Sequence, residues 1–426
     1  MPPIADHPLR YELTNELHAR PFPTLQASCT AVYLAVKREQ DAAKRDRDAD
    51  RAHLIALLDR YGAKHPQPGA THYFGEIGRH RLKWESHTEM VTYTVFSDGV
   101  SERAFDAADF DVFPAEWLAE APGQRITSAM IRVVPWESRE AARADIDRWF
   151  VPESVAVARV LDDAGVVAGD FRIDPAGHLR FSLHVAPVTG QRRVGRIVQR
   201  LFEIETYKTM SMLGFARVRA MSRQMGETDS RLSRLVDDMT SGSKPAEDTL
   251  DGLLEVSAEL EALVAQSSFR FGATAAYEQI VHQRIGALRE ARFNGRQTFY
   301  EFMMRRYDPA MRTVAATKER LKAMSDRAMR AGDLLRTGVD VARSAQNQSL
   351  LESMDRRADL QLRLQRTVEG LSVVAISYYA VSLAGYLLYP LTEVLGVSKG
   401  MVTAAVTLPM VALVWWMVQR IRRKIH

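Results

Sequence analysis

Two long uncharged segments near the C-terminus constrain this chain more than any other feature of its sequence. No side chain is formally charged in residues 370–392 or in residues 400–419. A helix over either segment, at about 1.5 Å per residue, is about 30 Å long and matches the hydrocarbon core of a bilayer. The connection between them is too short to be a domain. The sequence therefore predicts a transmembrane helical hairpin with a short loop over residues 393–399.

Basic residues flank this predicted hairpin unevenly. One lysine, Lys399, lies in the loop, whereas two basic groups lie outside the spans: Arg356, Arg357, Arg363 and Arg366, then Arg420, Arg422, Arg423 and Lys424. The positive-inside rule places both ends of the hairpin in the cytoplasm. The N-terminal residues lack the basic start and apolar core of a signal peptide. We therefore expect a multi-pass protein with both termini cytoplasmic, a periplasmic loop, and a basic cytosolic tail over residues 420–426.

Residues 1–190 have the pattern of an α+β cytosolic domain. The stretch "CTAVYLAVKRE" begins as a strand, and Val91, Tyr93 and Val95 alternate with threonines, which predicts a half-buried strand. Three short apolar runs between residues 155 and 185 are separated by "DDAG" and "DPAG", so we predict an antiparallel meander there. A helix over "SREAARADIDRWF" precedes the meander, with Ser138 as its N-cap.

Helical periodicity dominates from residue 191 onwards. Residues 191–308 are predicted to form a helical layer, in which Pro245 opens one helix and Gly272 separates that helix from the next. Residues 309–369 are predicted to form a long stalk helix, because no strong helix breaker follows Pro309 until the first span has been crossed. The predicted fold class is thus an α+β cytosolic domain, then long α-helices, then a C-terminal two-helix transmembrane hairpin.

Composition and missing motifs exclude several classes of function. Charges of both signs are mixed through most of the 426 residues and the net charge is +4, so we expect no nucleic-acid partner. The single cysteine, Cys29, rules out a disulfide framework. The chain contains no phosphate-binding loop, dinucleotide fingerprint, zinc-protease helix or nucleophile elbow. We therefore expect a protein that is not an enzyme, and no cofactor is identified.

Three histidines in a predicted polar hairpin, His72, His80 and His87, have Glu76 and Glu85 nearby. Metal binding would require three of these side chains to converge on one point. Histidines on a polar hairpin are common without any metal, so we predict no metal site.

One face of the stalk and first span carries no charge. Two interleaved heptad positions include seven residues that define what we call the seam: Asn347, Met354, Gln361, Ser372, Tyr379, Ser382 and Tyr386. Small and hydroxyl residues on a membrane helix generally meet another helix or water. Two interpretations stay open. The seam is either the contact face with the second span or the axis of a symmetric homo-oligomer in which parallel copies pack together.

The N-terminal stretch "NELHARPF" combines residue types that are typical of a docking segment. The candidate contact residues are Glu16, His18, Arg20 and Phe22. Packing of Leu17 and Phe22 onto the α+β core explains the same stretch equally well.

Two stretches, "NELHARPFP" and "SLLESMDRRADLQLRLQRTVEGLSVVAISYYAVSLAGYL", resemble a bacterial family of uncharacterised membrane-anchored proteins, domain of unknown function 3422. The resemblance covers nearly the whole chain. It implies a protein of the bacterial inner (cytoplasmic) membrane, and it implies no activity.

The layout also resembles that of the CorA-type magnesium transporters, which are homopentamers whose stalk helix and first span line a pore. The Gly-Met-Asn signature of those transporters is absent, because the corresponding position reads "GYLLYPLTE". The loop has a single acidic residue, Glu393, to capture a hydrated cation. No residue of that family is carried over to this chain.

Two hypotheses for function follow. In the first, a homo-oligomer surrounds a cation path along the seam. In the second, the hairpin only anchors and oligomerises a scaffold or sensor, whose cytosolic domain binds a ligand or a soluble protein partner.

Overall fold

The computed structural model describes residues 4–16, 22–390 and 398–425. The chain divides into two compact units. The first comprises residues 1–244 and 251–331, and the second comprises residues 245–250 and 332–426.

The first unit is built on a mixed sheet of nine strands among the described residues, in the order β2-β3-β4-β1-β5-β8-β7-β6-β9. The strands are β1 Cys29–Lys37, β2 His72–Ile77, β3 His80–Ser86, β4 Met90–Asp98, β5 Gln124–Pro135, β6 Ala156–Val160, β7 Gly165–Gly169, β8 Leu179–Val185 and β9 Ala291–Arg292. The β5–β8 pair is parallel, and the other neighbouring pairs are antiparallel.

The described helices alternate with these strands at first and then dominate. They are α1 Arg10–Glu16, α2 Arg47–Arg60, α3 Ala115–Ala119, α4 Arg139–Trp149, α5 Gln191–Ser241, α6 Ala246–Leu288, α7 Phe299–Arg306, α8 Asp308–Leu387 and α9 Lys399–Ile425. The prediction of a sheet domain followed by long helices is confirmed.

Local sequence signals account for several of these elements. Strands β6, β7 and β8 form the predicted antiparallel meander, with Val157 opposite Ala168 and Val167 opposite Leu183. The turn after β6 contains three consecutive residues with positive φ, Leu161, Asp162 and Asp163. The Ser138 hydroxyl accepts the Ala141 N–H at 3.0 Å and caps α4 as predicted. The residue that follows Pro245 opens α6, which is also as predicted.

Strand β4 is buried on both faces, so the prediction of a half-buried strand is wrong. Val91, Tyr93 and Val95 belong to a core with Trp117 of α3. Thr92 and Thr94, on the other face, are 3% and 6% exposed. On that face α5 covers the sheet, so small threonines are enclosed as fully as the apolar residues.

The predicted break at Gly272 is also wrong. Helix α6 continues through Gly272, whose neighbour Phe271 is buried, and an internal glycine is tolerated when its flanks are well packed. The helix ends at Leu288, and Asn294 and Gly295 then turn the chain with positive φ. Sequence periodicity therefore missed the edge strand β9 between α6 and α7.

The start of α7 is defined by two carboxylates. Thr298 and Glu301 form a reciprocal capping box. The Glu290 carboxylate accepts the N–H groups of Phe299 and Tyr300 at 3.1 and 2.9 Å. Burial raises the pKa of Glu290 to about 7, although these hydrogen bonds oppose the rise.

Two helices of the described residues are long and apolar enough to cross a membrane, the C-terminal part of α8 and α9. Helix α8 runs unbroken from Asp308 to Leu387, as the lack of breakers predicted. Within the second unit, side chains from residue 342 to 368 are exposed. Residues 391–397, which include most of the predicted loop, lie outside the described residues.

The segment after the N-terminal stretch is held tightly against α5. Leu25 is fully buried, and its N–H donates to the Gln191 carbonyl at 3.1 Å. Gly195 allows the close approach, because a Cβ at that position would lie 1.7 Å from the Pro23 carbonyl oxygen.

Replacement of Gly195 by alanine should therefore destabilise the protein by about 1–3 kcal/mol, because the backbone near Pro23 must move. Thermal unfolding of the full-length protein in detergent measures the effect. Gly226 on the same helix has nothing within 4 Å of a Cβ. Gly226→Ala should stabilise by up to about 1 kcal/mol through helix propensity, and equal shifts in the two variants would contradict this account.

Candidate functional site

A polar cleft lies between the α5-covered face of the sheet and the helices α5 and α6. Its volume is about 310 Å³. Strands β1, β3 and β4 supply one wall, through residues that include Tyr33, Lys83 and Thr92. Helices α5 and α6 supply the other wall, which includes Glu203 and Arg284. All of these residues belong to the first unit.

Five side chains form a ladder of alternating charge along this cleft: Glu85, Lys83, Gln199, Glu203 and Arg284. The Lys83 ammonium lies 3.1 Å from a Glu85 oxygen and donates to the Gln199 amide oxygen at 3.0 Å. The Gln199 amide nitrogen donates a hydrogen bond to one carboxylate oxygen of Glu203 at 2.8 Å, and Arg284 donates to the other oxygen. Lys83 is 6% exposed, and a buried ammonium group needs such partners to offset its loss of hydration.

Aromatic residues close the cleft below the ladder. Tyr33 stacks on Phe202 of α5 with 4.7 Å between ring centroids, and its hydroxyl lies 2.5 Å from the Thr206 Oγ1. Burial raises the pKa of Tyr33, so this hydroxyl stays protonated as a hydrogen-bond donor.

A second buried network lies next to the cleft. Glu89 is 1% exposed and accepts hydrogen bonds from Arg270 and from the Tyr277 hydroxyl, the latter at 2.9 Å. The Tyr277 ring stacks on Tyr207, which lines the cleft, at 5.5 Å. These contacts tie α6 to the end of the sheet and hold the cleft wall in place.

The chemistry of the cleft suits binding. The two acids and two bases of the ladder neutralise each other, and Arg200, which also lines the cleft, adds one positive charge. A small neutral or zwitterionic polar ligand can exchange hydrogen bonds with Gln199 and the charged groups on either side. Among the described residues no group of three or more His, Cys, Asp or Glu side chains is placed to hold a metal ion.

The structure places one residue of the predicted docking segment at this cleft. Phe22 is 45% exposed and contributes to the lining. His18 and Arg20 lie outside the described residues, and so does the side chain of Glu16. The docking role of this segment therefore stays a prediction.

Two of the three clustered histidines of the sequence have separate hydrogen-bond partners. His80 Nδ1 lies 2.7 Å from the Ser97 hydroxyl, and His87 Nε2 lies 3.3 Å from that of Thr92. His72 lies at the start of β2, opposite Glu85.

The seam lies on an open face of the first apolar helix. Tyr379 and Tyr386 are 71% and 76% exposed, whereas Ser377 is 6% exposed and marks the covered face. Asn347, Met354, Gln361 and Ser372 are exposed as well, and Ser382 is partly covered. Within a single chain, Tyr379 and Tyr386 therefore lie on the open face of the helix and not on its covered face.

Sequence reasoning missed the ladder because its members are far apart in the chain. The one local signal was Lys83, a charge in the centre of β3 between Leu82 and Trp84. A lysine at that position, facing opposite to two buried apolar neighbours, needs a partner from elsewhere in the fold.

The fold and cleft define a class of protein: a mixed-sheet domain with a polar cleft, joined to long helices of which two are long and apolar enough to cross a membrane. The model of the family described as "Protein of unknown function (DUF3422)" matches residues 5–425. The chain belongs to that family, and the resemblance noted from its sequence is confirmed. No curated protein matches the chain. No solved structure matches it either.

The ladder makes a testable prediction about stability. Lys83→Met should lower the free energy of unfolding by about 1–3 kcal/mol, because Glu85 and Gln199 lose their buried partner. Thermal unfolding of the full-length variant measures this. Arg223→Met is the control: Arg223 pairs with Glu227 in solvent with 91% of its side chain exposed, so little change is expected. Similar losses in the two variants would show that the ladder is unimportant.

Proposed function

We propose that this protein is a homo-oligomeric sensor or scaffold of the bacterial inner membrane, whose α+β domain binds a small polar ligand on the cytoplasmic side. The uncharged segments 370–392 and 400–419 support a hairpin that crosses the bilayer. The basic residues outside both segments support cytoplasmic termini.

The open seam supports the homo-oligomer. Lipid provides no hydrophobic drive for helix association, so hydroxyl residues on an open membrane face gain from a second helix that accepts and donates hydrogen bonds. The charge-free stripe continues from Tyr386 down to Asn347 through a segment rich in charge. That continuity matches a parallel second copy of the same chain, because only an identical helix presents the same stripe over the same length.

Cysteine cross-linking tests this arrangement. In a Cys29→Ala background, Tyr379→Cys and Tyr386→Cys should form disulfide-linked dimers in membranes under mild oxidation. Ser377→Cys on the covered face is the matched control and should stay monomeric. Cross-linking of Ser377→Cys alone would place the contact on the wrong face and overturn the proposal.

The ligand-binding role rests on the cleft. Its walls are held by buried hydrogen bonds from both the sheet and the helices, so the cavity is formed before any ligand arrives. Preorganisation of this kind lowers the cost of binding.

A cation path along the seam is the second candidate, and the open hydroxyl face of Tyr379, Ser382 and Tyr386 favours it. The described seam residues include no carboxylate, however, and capture of a hydrated divalent cation relies on oxygen ligands of high charge. The geometry therefore supports ligand binding better than conduction.

Two measurements on the full-length protein separate these candidates. With neutral and zwitterionic amino acids as probes, at least one should raise the thermal midpoint in a saturable way. Gln199→Leu should abolish that rise, because it removes the neutral member of the ladder. Gln266→Leu is the control, since Gln266 accepts only an exposed hydrogen bond from Arg217.

Liposomes that contain the protein should show no K⁺ or Mg²⁺ flux above empty liposomes. Flux that is lost in Tyr379→Leu and Tyr386→Leu would overturn the sensor proposal and establish the cation path. The absence of both flux and amino-acid binding would overturn both candidates.

A further inference from the structure

A second cavity lies on the opposite face of the sheet from the cleft. Tyr33 of β1 faces the cleft, whereas Thr30 and Val32 face the other way. Arg132 of β5 is opposite Thr30 and therefore lies on the second face. The cavity has a volume of about 280 Å³ and lies between β5, β8 and α4. The residues that matter for binding are Arg132, Glu137, Asp145, Arg148, Trp149 and His184.

His184 is buried in this cavity without a hydrogen-bond partner. The residue is 2% exposed, and neither ring nitrogen has a partner among the described residues. Its closest carboxylate contact, Nε2 to Asp145 Oδ2, is 3.5 Å, too long for a good hydrogen bond. A buried polar group without a partner costs about 1–3 kcal/mol, and a neutral imidazole has one N–H to donate.

The ring of Trp149 fixes the orientation of His184. The two rings stack with 5.7 Å between centroids and 16° between planes. At this distance the two rings are parallel but offset, and the neighbouring indole restricts rotation of the imidazole. Burial also lowers the pKa of His184, so the ring is neutral at pH 7 although Asp145 and Glu137 are near.

Arg132 lines the cavity without a close ion pair among the described residues, although Asp145 and Asp109 are near enough to attract its charge. Its guanidinium lies 5.5 Å from the Trp149 ring and donates to the Ser101 carbonyl at 2.7 Å. Its Nε is buried without a partner, and none of the ion pairs among the described residues includes Arg132. Arg148 differs, because it donates to Asp145 at 2.6 Å.

This charge balance determines the class of ligand. The lining carries two arginines and two acids and so has no net charge, and Arg132 is the cation that lacks an ion pair. An arginine fork matches a carboxylate. Because Asp145 and Glu137 repel any anion in the cavity, a ligand with one negative charge is disfavoured less than a dianion such as phosphate. The organic part of such a ligand can pack against the Trp149 indole, which lines the cavity.

We propose that this cavity binds a small monocarboxylate, whose carboxylate accepts hydrogen bonds from Arg132 and His184 and whose organic part lies against Trp149. The site is separate from the cleft and does not depend on its ligand.

Calorimetric titration of the full-length protein in detergent tests the proposal, with acetate, lactate and benzoate as probes and inorganic phosphate as the comparison. At least one monocarboxylate should bind saturably and change the tryptophan fluorescence, and phosphate should bind more weakly. Arg132→Gln should weaken binding at least about tenfold, as expected for loss of a charged hydrogen-bond donor. Arg143→Gln is the control, because Arg143 lies on α4 outside the cavity with 65% of its side chain exposed.

The absence of saturable binding by all three monocarboxylates would overturn the proposal. Tighter binding of phosphate, or equal affinity in Arg132→Gln and Arg143→Gln, would do the same. Should Arg132→Gln fail to fold in thermal unfolding, His184→Gln decides: weaker binding supports the site, and unchanged binding refutes it.

Discussion

The burial of β1 on both faces is the constraint on which the rest of the soluble unit depends. All nine residues of β1 are buried, so helices must cover the sheet on either side. On one face α2 and α3 pack around Trp117. On the other face Tyr33 binds Phe202 and Thr206 of α5. One cavity lies beside Lys83 on the α5-covered face, and the other lies beside His184 on the opposite face, next to α4.

The two cavities differ in whether their buried polar groups have partners. In the cleft each polar side chain of the ladder from Glu85 to Arg284 already has a partner. A ligand there would have to exchange hydrogen bonds with side chains that are already paired. In the second cavity His184 and the Arg132 Nε are buried with no partner among the described residues. Since desolvated donors gain most from a new acceptor, the unpartnered groups of the second cavity gain more from a hydrogen-bonding ligand than the paired groups of the cleft.

The membrane-length helices follow another rule. In water an open face of tyrosines would be unremarkable, but in the proposed membrane hairpin lipid offers no hydrogen bonds to Tyr379 and Tyr386. The covered face around Ser377 and the open seam are distinct surfaces of one helix. In the proposed homo-oligomer, a second copy contacts the open surface.

Sequence patterns predicted elements well where the signal is local. The Ser138 cap, the turns "DDAG" and "DPAG", and the start of α6 after Pro245 each follow from a few neighbouring residues. Sequence patterns gave wrong predictions where the result depends on which other elements pack against a strand or helix. The alternation of apolar residues and threonines in β4 shows only that its two faces differ in chemistry. Helix α5 covers the threonine face, so that face is buried too. Gly272 weakens a helix intrinsically, but packing of Phe271 keeps α6 intact.

The candidate sites show the same division. Phe22 and the seam were predicted as candidates from sequence, because an unusual residue set and a heptad pattern are visible along the chain. The Lys83 ladder joins residues from β3, α5 and α6, and the His184 cavity joins β5, β8 and α4. The sequence by itself determined the membrane-length segments, the helices and the meander, because periodicity and turn chemistry act over a few residues. Only the tertiary structure decided which faces are covered and which buried charges are paired, because both depend on residues brought together from distant parts of the chain.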